Sequence, residues 1–205
     1  EVFYFSIITI VYIVTMIMLL PFVKVYTEGI TDVNYYRPTF GILLILAELF
    51  WSIRLPYSSI TLAAGHFKET RKGAWAEAFL NLTISIVLVF KFGIIGVAIG
   101  TLIAMLIRTI EFIYHTSKYI LERSKWEALK KIALLIIEII LIVPLGMYIC
   151  SKYNIDSYIT WCIMATIVAI IVAIIIITIN GLMYRKDVKS ILEILKKNFI
   201  KRREC

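Results

Sequence analysis

Six blocks of about 20 apolar residues, parted by short polar links, limit what this chain can fold into more than any other feature it has. A block of that length crosses a hydrocarbon layer roughly 30 Å thick as a helix. In lipid the backbone has no water to bond to, so each block must satisfy its own N–H and C=O groups. Runs this long and this uniformly apolar do so as helices and not as barrel strands. The blocks run from about Phe3 to Val25, Pro38 to Ile60, Ala74 to Phe90, Ile94 to Tyr114, Ile132 to Cys150 and Tyr158 to Met183. Residues 1–183 therefore read as a six-span transmembrane bundle in an all-α integral membrane protein. Composition agrees: 61% of the 205 residues are hydrophobic, where soluble domains sit near half.

The net charge of +8 fits nucleic-acid binding only until the positions are read. Sixteen of the 22 Lys and Arg residues fall in the links before spans three and five and in the C-terminal tail. Four, Lys24, Arg37, Lys91 and Lys152, fall on the other side, and Arg54 and Arg108 lie within spans. Basic residues favour cytoplasmic loops, so this asymmetry expects a multi-pass protein of the inner or plasma membrane with its C-terminus in the cytoplasm. The charge then reports orientation, and nucleic acid is excluded as a partner. The opening "EVFYFSII" has no methionine and no basic stretch before the apolar run, unlike a signal peptide, and reads as the middle of a longer protein.

The links are short. Lys91-Phe92-Gly93 leaves room only for an antiparallel hairpin. Ser124-Lys125-Trp126-Glu127 has the pattern of a capping box, so part of that link is expected as an interfacial helix with Trp126 among the headgroups. Residues 184–205 read as a basic amphipathic tail: Val188, Ile191, Leu192, Leu195 and Phe199 share one helical face and lysines the other. Such a helix lies on anionic lipid, or else binds a partner. The three cysteines, Cys150, Cys162 and Cys205, have no metal-like spacing and read as unpaired thiols.

Ionisable groups inside a span cost roughly 2.5–3.5 kcal/mol each and are functional candidates by default. Glu48, near the middle of span two, must face a cavity, pair or be protonated. Arg54 is six residues on, a rotation of about 240°, so the two do not share a face. Arg54 either snorkels or pairs, or it faces a cavity where its guanidinium suits a phosphate. Pro56, two residues later, is expected to loosen the helix there. Glu77 and Asn81 are four apart and line one face of span three, Glu77 near the wet edge and Asn81 deep enough to bond across helices. Arg108 and Glu111 read as a surface pair. Glu138, about two turns into span five, is either a cavity group or an interhelical one. Gly96, Gly100 and Ala104 form a small-residue stripe for close helix packing. No catalytic motif, phosphate loop or metal-ligand set is present, and His66 and His115 have no ligand partner at helical spacing, so no enzyme, cofactor or metal is expected.

From Tyr57 to Leu121 the sequence carries "AGHFKET" in the link, "EAFLN" at the start of the next span and the tight hairpin "KFGIIGVAIGT". As a group these resemble the C-terminal half of bacterial polysaccharide flippases, the Wzx-type members of the multidrug/oligosaccharidyl-lipid/polysaccharide exporter superfamily. The resemblance implies one half of a two-bundle exporter fold, helices seven to twelve, with an N-terminal six-helix half missing. It implies a lipid-linked sugar substrate moved by alternating access. Arg54 would meet the pyrophosphate; Glu48, Glu77 and Asn81 would give cavity polarity or bind a coupling ion, H+ or Na+; Glu138 is a further candidate for substrate binding. Two alternatives remain: a cation-coupled exporter of drugs or small molecules from the same superfamily, and a non-transport envelope-assembly protein. A membrane-embedded glycosyltransferase is the remaining expectation.

Overall fold

A computed structural model describes residues 1–30 and 32–185. The tail expected as an amphipathic helix lies, from residue 186 on, outside the described residues. The chain forms six helices: α1 (Val2–Tyr26), α2 (Pro38–Ala63), α3 (Phe67–Phe92), α4 (Ile94–Tyr119), α5 (Lys125–Cys150) and α6 (Tyr158–Met183). Each is long and apolar enough to cross a membrane.

The helices pack as two triplets. α4 lies between α2 and α3, while α1 packs on α5 and α6; contacts of α1 with α2 and of α4 with α5 join the triplets. The up-down order collects Glu1, the α2–α3 link and the α4–α5 link at one end, called here the basic end. There the Glu1 carboxylate meets Arg123 and, at 3.3 Å, Lys131. At the opposite end Lys24 pairs with Asp156 at 2.8 Å, tying α1 to the α5–α6 link.

Small residues set the α3–α4 contact. Gly93 makes the turn at φ +56°, a left-handed conformation that favours glycine. A Cβ on Gly96 would stand 2.4 Å from the Leu88 backbone, and one on Gly100 would stand 2.3 Å from Ser85 Oγ. The two helices are therefore close enough that only glycine fits. Threonines bridge α2 and α4: Thr109 donates to the Phe50 carbonyl at 2.8 Å, and Thr61 and Thr116 bond to each other at 2.9 Å.

Tyrosines bridge α1 and α2. Tyr4 Oη donates to the Ser52 carbonyl at 2.7 Å. Ser52 stands four residues before Pro56, and its carbonyl is the one that a proline there leaves without its helical N–H. α2 accordingly runs unbroken through Pro56 where a loosened helix is the expectation from sequence, because a neighbouring hydroxyl replaces the missing donor. Trp161 Nε1 donates to the Met18 carbonyl at 3.0 Å and fixes α6 against α1.

Two local expectations need correction. The residues after Ser124 are no separate interfacial helix but the first turns of α5. The Ser124 side chain accepts from the Trp126 N–H without a reciprocal bond, while the reciprocal capping pair is Ser157 with Thr160 on α6. Threonine at that third position falls outside the Glu/Gln pattern that marks such boxes in a sequence.

Candidate functional site

Four charged side chains meet among α2, α3 and α4. Arg54 Nη1 lies 2.8 Å from Glu77 Oε1, and Arg108 Nε lies 3.5 Å from the other oxygen of the same carboxylate. Arg108 also bonds Glu111 at 2.7 Å and donates to the Thr70 carbonyl at 2.9 Å. The Phe112 ring lies beneath both guanidinium groups, 4.4 Å from Arg108 Cζ and 5.9 Å from Arg54 Cζ. Two arginines and two glutamates balance, which is how charge is tolerated at membrane depth. Gly73 makes the room: a Cβ there would stand 1.9 Å from Arg108 Nη1.

The Arg108–Glu111 pair is thus not the surface pair that its spacing alone indicates. Arg108 is only 6% exposed, and it is the centre of the cluster. The sequence signal was one of depth. Arg54 stands nine residues before the end of α2, Glu77 ten after the start of α3, and Arg108 eleven before the end of α4. All three are therefore at one level, about 14–17 Å from the basic end. Starting span three at Ala74 hides that match, because the real helix begins at Phe67.

Glu48 is elsewhere. It lies near the middle of α2, and it is exposed. Among the described residues its carboxylate has no hydrogen bond or ion pair. Around it the α1–α2 seam is polar: Tyr12 Oη donates to the Glu48 carbonyl at 3.0 Å and bonds Ser52 Oγ at 2.8 Å. Trp51 is exposed on the same helix, and Ile7, Val11 and Thr15 are exposed on α1.

Asn81 and Glu138 make bonds between helices. Asn81 Oδ1 accepts from Thr101 on α4 at 3.3 Å and from Ser85 at 3.1 Å. Glu138 is 3% exposed, and Asn180 Nδ2 on α6 donates to it at 3.4 Å. With Thr9, Lys131 and Tyr184 these two border a void of about 10 Å³, the scale of one water. The five candidates therefore fall in different places. Arg54 and Glu77 join one cluster, Asn81 lies further along α3, Glu48 faces out of the bundle and Glu138 lies in the other triplet.

His66 and His115 do meet: Nδ1 of the first lies 3.1 Å from Nε2 of the second. Helical spacing does not reveal this contact, because it joins the start of α3 to the end of α4. Cys150 is buried and Cys162 exposed, both as free thiols; Cys205 lies outside the described residues. Among the described residues no three His, Cys, Asp or Glu side chains come together as a metal site. Comparison of the chain with protein-family models, curated proteins and solved structures finds no match.

Proposed function

We propose that the chain is one bundle of a two-bundle transporter, the C-terminal half of a lipid-linked oligosaccharide or polysaccharide flippase working by alternating access. The observation that carries this reading is Glu48. A carboxylate in the middle of a membrane helix, turned outward and with no partner among the described residues, cannot rest against lipid tails. A water-lined passage between this face and a second bundle gives it a place. Tyr12 and Trp51 beside it suit a sugar-bearing head, whose passage through bare hydrocarbon is prohibitively costly. The substrate class rests on the resemblance over Tyr57 to Leu121. The basic end is then the cytoplasmic one.

In this reading Arg54 serves the pyrophosphate by exchanging Glu77 for it, and Glu48 meets the coupling ion. One observation favours a second reading, cation-coupled export of a small molecule: Arg54 is already engaged by Glu77, which leaves Glu48 as the charge on the α1–α2 face. Export of lipid-linked sugar by the full-length protein separates the two. Arg54→Ala abolishes it and Arg54→Lys partly restores it on the first reading. Unchanged export at normal protein levels removes Arg54 from the site. If instead export of a cationic dye depends on Glu48 and sugar export is absent, the second reading holds.

A further inference from the structure

Neither reading uses a cleft of about 510 Å³ at the basic end, between the last turn of α4 and the first turn of α5. Its floor holds an anomaly. Ser117 is 1% exposed, lines the cleft and has no hydrogen-bond partner for its hydroxyl. Buried hydroxyls are nearly always satisfied, so an orphan bordering an open cleft marks where a ligand atom belongs.

The surroundings say what kind of atom. Lys118 Nζ sits 5.3 Å from the Tyr114 ring and 5.0 Å from the Tyr119 ring, and it donates to Tyr114 Oη at 3.0 Å. Lys125 Nζ lies 5.7 Å from the same Tyr114 ring. The Tyr114 ring thus has two ammonium groups beside it at the cleft. α5, 26 residues long, starts here with its positive dipole end, where the Ser124 hydroxyl accepts from the Trp126 N–H and the Ser124 carbonyl from the Glu127 N–H. Arg123 also borders the cleft, with its Nη groups held by Glu1 and its Nε without a partner. Glu122 is the opposing carboxylate in the lining; it turns the chain at φ +47°. Trp126, 63% exposed on the first turn of α5, belongs at headgroup depth.

We propose that this cleft binds the phosphate of an anionic membrane lipid, with Ser117, the α5 N-terminus, Lys118 and Lys125 as its donors. The site stands apart from the α1–α2 face and does not depend on what that face transports. It anchors the link that joins the two helix triplets to one leaflet.

Native mass spectrometry of the full-length protein, released from detergent with phosphatidylglycerol added, tests it. Lys118→Gln with Lys125→Gln should weaken phosphatidylglycerol binding about thirty-fold, while Lys68→Gln with Lys72→Gln, the same charge loss at the same end, should leave it within about two-fold. Ser117→Ala should weaken it several-fold without lowering stability, since its hydroxyl has no partner to lose. Lys118→Arg with Lys125→Arg should keep binding, which preserves the test if the glutamine pair misfolds. Diacylglycerol, with no phosphate, should be indifferent to every substitution. Competition by inorganic phosphate that the glutamine pair no longer feels assigns the site to the phosphate group with or without acyl chains. Absence of competition assigns it to the lipid. Equal loss in the two lysine-pair variants, or unchanged binding in the cleft pair, overturns the proposal.

Discussion

Glu77→Gln should cost far more than Arg54→Gln, although they break the same ion pair. The Glu77 carboxylate is shared: Arg54 takes one oxygen at 2.8 Å and Arg108 the other at 3.5 Å. Removing it leaves two arginines at membrane depth against Glu111 alone. Breaking a buried pair by deleting one partner costs about 3–5 kcal/mol. Arg54 and Glu77 are 13% and 21% exposed, so the low end applies, about 3 kcal/mol. Arg54→Gln leaves Glu77 still facing Arg108 and Arg108 still holding Glu111, which puts its cost near 1 kcal/mol. The double substitution restores neutrality and should fall short of the sum by 1 kcal/mol or more, roughly. For a chain of this size each kcal/mol moves the melting point by about 2–4 °C, so Glu77→Gln should melt about 6–12 °C low and Arg54→Gln about 2–4 °C low. Thermal unfolding of the four proteins in detergent, followed by size-exclusion profile, measures this. Equal shifts for the two single variants, or a double variant that is fully additive, would refute the shared-carboxylate account.

Other outcomes follow from single contacts. Tyr4→Phe strips the Ser52 carbonyl of its donor and should destabilise by about 1–3 kcal/mol, and adding Pro56→Ala should recover most of that by restoring the helical N–H; no recovery would mean the hydroxyl serves some other group. Gly96→Ala should force α3 from α4 because the obstacle is the Leu88 backbone, while Gly181→Ala, with nothing within 4 Å, should be neutral or stabilising in the same melting assay.

The six helices were legible because lipid leaves a 20-residue apolar block no other choice. The small-residue stripe was legible too, since Gly96, Gly100 and Ala104 recur at helical spacing. Charge pairing was legible within one helix, as Arg108 with Glu111, but not between helices. Arg108 looks like a surface residue at three-residue spacing from Glu111, and only the third helix, with Glu77 at matching depth, shows why it can be buried. The His66–His115 contact and the orphan Ser117 are tertiary facts with no local pattern, and the Tyr4–Ser52 bond needs Pro56 and a neighbouring helix at once. Glu48 was visible as an intramembrane acid; that it points out of the bundle depends on which face α1 covers.

The account turns on water reaching the α1–α2 face. In the full-length protein with Cys150, Cys162 and Cys205 replaced by serine, a water-soluble thiol reagent applied to membranes should label Val11→Cys and Glu48→Cys. It should leave Phe79→Cys and Leu82→Cys on the outer face of α3 untouched. If Glu48→Cys proves as inert as Phe79→Cys, that face lies against lipid or packed protein and no passage runs along it.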